Sequence, residues 1–293
     1  MKQNTESKKN RVLLCLSVVS IFLFLAPCFA QEKDEKSQPL IKRTNYKTEA
    51  VEFGVGGTIS IIGAPSGAIT IEGWNKNQVE ITAEVEMQAA TETDLAELAK
   101  VNGFIIDDDF GHVRITSVGT HDKSYMKRVA KKFPKNLLTM PLKIDYVIKV
   151  PAYSDINIDG GRGDLTLSNV EGAIRINYLE SNATLNLTGG TINATVGKGD
   201  VQVVVPNRSW RGRSADVQVA IGTLSVQMPI NLSANIDARV LRVGQIENAL
   251  TVLKPRDRTK FTEKSIIAKA GNGGAALNFT VGDGTLKLME TAK

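Results

Sequence analysis

Glycine followed by alternating apolar and polar residues is the most regular pattern in this chain. A period of two places every second side chain on the same face of a β-strand, so one face is buried and the other is solvated. The leading glycine adopts turn conformations that a β-carbon disfavours. Each such unit therefore predicts a turn followed by a short strand. Units of the form Gly-x-apolar-x-apolar begin at Gly57, Gly67, Gly111, Gly163, Gly172, Gly190, Gly199, Gly222 and Gly284.

The units in the middle of the chain are evenly spaced. Gly163, Gly172, Asn182, Gly190 and Gly199 follow one another at intervals of nine, ten, eight and nine residues. Two strands with their corners then make one coil of about 18 residues, and equivalent positions stack from coil to coil. We predict an all-β fold, specifically a β-solenoid that resembles a parallel β-helix and is built of glycine-punctuated short strands.

One short helix interrupts the strand pattern. The sequence TDLAELAKV, residues 93–101, has Leu95 and Leu98 at a helical spacing, and Thr93 stands where a cap is expected. The end of a solenoid needs to be covered, and this helix is expected to cover one. No linker-like break follows Thr48, so residues 49–291 are predicted to form a single domain.

The first thirty residues have the form of a secretory signal peptide. Basic residues precede an apolar run from Val12 to about Ala26, and a small residue stands at Ala30, after which cleavage is predicted. The alternative is a lipoprotein, in which Cys28 carries a lipid anchor. Both alternatives predict an exported protein, either periplasmic or at the cell surface. Residues 31–48 are charged and are expected to be a flexible leader.

Composition narrows the set of partners. Both cysteines, Cys15 and Cys28, lie in the signal peptide, so the mature chain can form neither disulfides nor thiolate metal sites. Loss of the signal removes four basic residues and one acidic residue, which lowers the formal net charge from +5 to +2. A charge this small does not predict nucleic acid as a partner.

Residues 121–140, HDKSYMKRVAKKFPKNLLTM, form the one strongly basic segment of the mature chain. The segment has a single acidic residue, Asp122, and is predicted to be an insertion between strands. Two interpretations stay open: a solvated surface segment, or an electrostatic contact with anionic lipid head groups or acidic envelope polymer. The candidate contact residues are Lys123, Lys127, Arg128, Lys131, Lys132 and Lys135.

The triplet Arg162-Gly163-Asp164 matches a motif by which animal cell-surface receptors recognise matrix proteins. Lys198-Gly199-Asp200 repeats the same arrangement, and Gly282-Asp283-Gly284 repeats it with a shift of one residue. We therefore interpret the triplet as one copy of a repeated corner, not as a receptor ligand.

Residues with catalytic chemistry are few. His112 and His121 are the only histidines, and Asp107, Asp108 and Asp109 are interpreted as a polar hairpin corner. Most other carboxylates fall at corners, where Asp is expected to make local hydrogen bonds. No catalytic residue, cofactor or metal site is predicted.

Two kinds of surface are candidates for binding without chemistry. Aromatic rings that stack on sugars are one kind, and the candidate rings are Trp74, Tyr153, Tyr178 and Trp210. Polar ladders are the other kind, in which outward polar side chains stack from strand to strand. Such a face could bind an extended polymer or a protein, or it could simply be solvated. The outward positions are Thr58, Ser60, Thr70, Thr166, Ser168, Arg175, Asn177, Asn193, Thr195, Gln202, Ser225 and Gln227.

Four segments together resemble the bacterial putative-adhesin family of β-strand-repeat domains of unknown function. They are GAITIEGWNKNQVEITAEV, YVIKVPAYSDINIDGGRGDLTLSNVEGAIRI, LSVQMPINLSANIDARV and GAALNFTVGDGTLKL. The resemblance implies the fold and carries no catalytic residues. The predicted function is a non-catalytic, exported cell-envelope scaffold or adhesin-like binding module, whose partner is a protein or polysaccharide of the envelope. The alternative is a carbohydrate-active β-helix enzyme.

Overall fold

The computed structural model describes residues 39–206 and 211–291. Strands dominate these residues, so the predicted all-β class is confirmed. Among the described residues, no helix has the length and hydropathy that crossing a membrane would require. The strands are β1 (Ile41–Glu52), β2 (Thr58–Ile62), β3 (Ile69–Trp74), β4 (Gln78–Ala89), β5 (Gly103–Asp109), β6 (His112–Val118), β7 (Leu142–Pro151), β8 (Asp155–Arg162), β9 (Leu165–Ser168), β10 (Glu171–Glu180), β11 (Ala183–Asn186), β12 (Gly189–Val204), β13 (Arg211–Met228), β14 (Ala234–Val240), β15 (Gly244–Asn248), β16 (Lys254–Pro255), β17 (Ser265–Ala270) and β18 (Ala275–Glu290). The helices are α1 (Glu92–Val101), α2 (Lys123–Val129) and a 3₁₀ turn at Lys135–Thr139.

The middle strands pair in parallel with a register of 18 residues. Strands β8, β10 and β12 are neighbours, and the first of two buried rows contains Ile156, Ile174 and Ile192. Strands β9 and β11 and the second half of β12 are also neighbours. Their buried row contains Leu165, Ala183 and Val201. Each step along either row advances the sequence by the spacing predicted for one coil.

Both buried rows extend beyond these strands. In the first row, every side chain is at most 3% exposed, and burying an aliphatic side chain contributes roughly 1.5–3 kcal/mol. Alternation along each strand sends the neighbouring polar residues outward, as predicted for the polar ladders. The full first row is Val113, Ile59, Ile156, Ile174, Ile192, Ala215, Leu277 and Ile236.

Sequence neighbours are not always spatial neighbours. The last strand, β18, lies between β13 on one side and both β14 and β15 on the other, and all these pairs are parallel. Antiparallel pairs occur elsewhere: β1 with β4, β4 with β7, β5 with β6, and β17 with β14 and β16. Hydrogen bonding connects the eighteen strands into one mixed sheet.

Strand β1 corrects the predicted leader. Residues 41–48 were expected to be flexible, but they belong to a twelve-residue antiparallel pairing with β4. Backbone hydrogen bonds hold this edge strand although its side chains are mostly polar, and Lys42 forms an ion pair with Glu86 at 2.6 Å. The predicted signal peptide, the alternative lipid anchor at Cys28 and residues 31–38 lie outside the described residues.

Helix α1 confirms the predicted short helix and corrects its cap. Leu95 and Leu98 are buried as predicted. The cap is Thr91, not Thr93, since the Thr91 hydroxyl accepts a hydrogen bond from the Asp94 backbone N–H at 3.1 Å. The helix therefore starts one residue earlier than the apolar pattern indicates.

Glycine is required where strands turn from one buried row to the other. Gly199 and Gly222 are aligned neighbours on β12 and β13 and have φ angles of 135° and 138°. A β-carbon at Gly222 would lie 2.0 Å from the carbonyl oxygen of Gly199, well inside contact distance. The absence of a side chain thus permits the close stacking of the corners.

We expect Gly222→Ala to lower the free energy of unfolding by about 2 kcal/mol or more, because it adds both steric overlap and an unfavourable φ. Urea denaturation measures the effect. Gly103→Ala is the matched control, because a β-carbon there has no atom within 4 Å, and its effect is expected to stay within about 0.5 kcal/mol. Equal midpoints for the two variants would contradict the steric argument.

Candidate binding site

The basic segment 121–140 is folded against the sheet between β6 and β7. Asp122 caps α2, since its carboxylate accepts hydrogen bonds from the backbone N–H groups of Ser124 and Tyr125 at 2.9 and 3.0 Å. Met126 on α2 and Leu137 in the 3₁₀ turn are buried and anchor the segment. The cations between these anchors are therefore held on a defined surface.

Four of the predicted cations line one cavity. Lys123, Lys127, Lys131 and Lys135 recur every four residues and surround a volume of about 770 Å³. The apolar part of its lining is formed by Met126, Ala130, Phe133 and Leu138. We call this space the lysine cavity.

The other two predicted cations face elsewhere. Arg128 and Lys132 line a neighbouring depression together with Glu97 and Lys100, which form an ion pair with each other. The guanidinium carbon of Arg128 lies 5.9 Å from the centre of the Tyr125 ring, a weak cation–π contact. Lys131 lines both the lysine cavity and this depression, so the two surfaces adjoin.

The charge of the basic segment is not neutralised locally. Within residues 39–206 and 211–291, none of the six cations forms an ion pair with a carboxylate. The one acidic residue of the segment, Asp122, is engaged as the cap of α2. The segment therefore presents uncompensated positive charge.

His121 forms part of the wall of the lysine cavity, a position that sequence reasoning missed. It is half-buried, and its Nδ1 atom is buried without a hydrogen-bond partner among the described residues. Loss of solvent around the ring lowers the pKa of His121, while a hydrogen bond with the Ser117 backbone and the charge of Asp122 act in the opposite direction. The position of His121 next to the lysines was visible in the sequence, but its burial was not.

A second site, which we call the corner groove, contains the Arg-Gly-Asp triplet. Arg162, Glu180 and Lys198 stand side by side on consecutive strands, because Glu180 is aligned with Arg162 on one side and Lys198 on the other. The Glu180 carboxylate lies 3.4 Å from the Arg162 guanidinium and 3.7 Å from the Lys198 ammonium group. The groove has a volume of about 530 Å³.

Asp164, Asn182 and Asp200 form the opposite row of the corner groove. The Asn182 amide group donates to Asp164 at 3.4 Å, and the Asp200 and Thr223 backbone N–H groups donate to Asn182 and Asp200 at 3.3 and 3.1 Å. Both charged side chains of the triplet thus contact the next strand. This arrangement supports its interpretation as one copy of a repeated corner.

The candidate aromatic platforms are only partly available. The prediction that Tyr178 offers an exposed ring is wrong, because the ring is buried under Gly160. Burial also raises the pKa of its hydroxyl. Trp74 is half-buried, and its indole N–H donates to the Gln78 carbonyl at 2.8 Å. Tyr153 is exposed, whereas Trp210 lies outside the described residues.

The three consecutive aspartates lie at the end of β5, in the antiparallel hairpin with β6, as predicted. No group of three or more His, Cys, Asp or Glu side chains suited to a metal ion occurs in the described part of the chain. His112 is partly exposed and lies 2.9 Å from the Ser60 hydroxyl through its Nε2 atom.

Solved structures of bacterial proteins are similar to this chain, although no protein-family model and no curated protein matches it. A putative cell adhesion protein from Clostridium sporogenes ATCC 15579 is 13% identical with a TM-score of 0.46, over 85% of this chain and 100% of that one. A putative adhesin from Bacteroides fragilis NCTC 9343 is 10% identical with a TM-score of 0.27, over 84% and 97%. Another, from Parabacteroides distasonis ATCC 8503, is 10% identical with a TM-score of 0.24, over 83% and 97%. The predicted resemblance to bacterial putative adhesins is confirmed, and identities this low transfer no residue role.

We expect the free energy of unfolding to fall as the pH is lowered from neutral through the lowered pKa of His121. The unfolded state binds a proton near the ordinary pKa of about 6.5, whereas the folded state resists protonation, so acid favours unfolding. His121→Gln should flatten this part of the curve in urea denaturation at several pH values. His112→Gln retains His121 and should keep the slope; loss of the slope in that control would contradict the assignment.

Proposed function

We propose that this protein is an exported, non-catalytic binding module of the cell envelope that contacts an anionic lipid surface through residues 121–140. The observation that carries the proposal is the set of six cations without an ion-pair partner among the described residues. Lysines without an ion-pair partner also occur elsewhere on the described surface, for example Lys76, Lys254 and Lys260, but residues 123–135 bring six such cations together with no acidic residue between them. Uncompensated charge held on a folded surface favours recognition over simple solvation.

Lipid is favoured over acidic polymer by the apolar lining of the lysine cavity. A polyanion needs only charge and hydrogen bonds, whereas a membrane surface offers anionic head groups next to apolar chains. Leu138 is 39% exposed and Met126 lies deeper, so apolar surface begins at the level of the lysine side chains.

The proposed export rests on the first thirty residues. Their basic start, apolar run and small residue at Ala30 favour cleavage and release into the periplasm or to the cell surface.

The fold is further proposed to be a β-solenoid. The 18-residue parallel register and the two buried rows support this description, with the antiparallel strands closing the ends.

We expect the variant with Lys123, Lys127, Lys131 and Lys135 all changed to Gln to lose salt-sensitive binding to phosphatidylglycerol-containing vesicles. Each lysine near such a surface contributes about 1 kcal/mol, so the loss should reach about a thousandfold. Vesicle sedimentation measures it, first in low salt and then in about 1 M salt, where screening acts over about 3 Å.

The matched control also removes four positive charges, but from a surface outside residues 121–140. Its substitutions are Lys254→Gln, Lys260→Gln, Lys264→Gln and Lys269→Gln, at and around β16 and β17. This control should bind vesicles as the unmodified protein does. Equal losses in both variants would indicate an effect of net charge alone and contradict the assigned surface.

A carbohydrate-active enzyme is the second candidate, because the corner groove gathers charged side chains from adjacent strands. Glycoside hydrolysis uses two carboxyl groups separated by about 5–9.5 Å. Asp164 and Asp200 stand two strands apart, roughly 10 Å at the usual strand spacing, with Glu180 on the opposite row between them. The carboxylates of this groove are, however, engaged by neighbouring side chains or backbone groups.

The binding-module proposal predicts no release of reducing ends when the protein is incubated with envelope polysaccharides. Release by the unmodified protein that Glu180→Gln abolishes would establish the enzyme instead. Glu247→Gln is the matched control, because Glu247 also pairs with a lysine, Lys287, but lies outside the corner groove.

A further inference from the structure

The lysine cavity combines an apolar interior with a charged rim. We propose that it binds one alkyl chain of an anionic single-chain amphiphile, such as a fatty acid or an alkyl phosphate, and that the lysines hold its head group. This inference rests on the proposed function, because the same lysines supply the membrane contact, and it adds a specific ligand class for the space between them.

The interior has the size and surface of a small-molecule site. Its volume of about 770 Å³ lies within the range of about 300–1,000 Å³ for such sites. Met126 and Phe133 line its inner part, and Phe133 also packs against the hydrophobic core. Ala130 keeps space open between α2 and the 3₁₀ turn, because its side chain is a single methyl group. An alkyl chain would remove this apolar surface from water.

The rim selects for negative charge. Its lysines recur every four residues, and no Asp or Glu is among the described residues that line the cavity. A cationic amphiphile of the same length would meet four like charges. The charge pattern therefore distinguishes this site from a general detergent-binding surface.

His121 lies at the wall of the cavity and is half-buried. Its Nδ1 atom is covered from solvent, so it is not a contact for the head group. The lysine ammonium groups are therefore the polar contacts that the cavity offers to an anionic ligand.

The test titrates the purified protein with dodecanoate and with dodecyl phosphate, both below their micellar concentrations, by isothermal calorimetry. Binding by both is expected, and the ratio of their affinities reports which head group the rim prefers. Shortening the chain by two methylenes to decanoate should weaken binding about fifteenfold, since each methylene contributes about 0.8 kcal/mol. Dodecyltrimethylammonium, with the same tail and the opposite charge, should not bind.

Ala130→Trp should abolish binding of dodecanoate by filling the cavity, while its vesicle binding through the lysines persists. Val129→Trp is the matched control at the adjacent position, because Val129 is half exposed and lines the neighbouring depression instead. Unchanged dodecanoate binding by Ala130→Trp, or equal binding of the cationic amphiphile, would overturn the cavity assignment. Failure of the unmodified protein to bind vesicles would instead overturn the proposed membrane contact, whatever the result with dodecanoate.

Discussion

The close approach of backbones at the glycine corners is the constraint on which the rest of this structure depends. Parallel strands lie about 4.8 Å apart, and a corner that repeats at this spacing leaves no room for a β-carbon on the inner side. Gly199 and Gly222 satisfy the constraint through positive φ angles and carbonyl contacts. Because these corners stack, the buried side chains on either side align in two rows. The charged residues next to the corners align as well, which produces the corner groove.

The regular spacing of glycines and apolar residues made the strand pattern predictable. The same spacing did not predict which distant strands pair. The even spacing from Gly163 to Gly199 indicated the 18-residue register, which β8 to β12 show. The pairing of β1 with β4 was missed because a polar edge strand is held mainly by backbone hydrogen bonds, which leave no apolar period in the sequence. Tyr178 was predicted to be exposed, yet it lies under Gly160, a contact between neighbouring strands that single-strand reasoning does not contain.

The candidate site was likewise predictable in its composition but not in its geometry. The excess of lysine and arginine in residues 121–140 identified the segment, because charge can be counted without knowing the fold. Which of its cations line the lysine cavity depends on Met126 and Leu137, whose burial fixes how α2 and the 3₁₀ turn face the sheet. The apolar cavity and the unpartnered nitrogen of His121 arise only from that packing. Together they change the interpretation of the segment from a charged surface to a site with an interior.

The placement of β18 between β13 and the pair β14 and β15 affects how the molecule is assembled. Strand β18 follows β13, β14 and β15 in the sequence, so the edges of those strands that pair with it stay unpaired until it is synthesised. Contacts that join such distant parts of a sequence form slowly. The late arrival of β18 therefore delays the joining of β13 to β14 and β15 within one sheet.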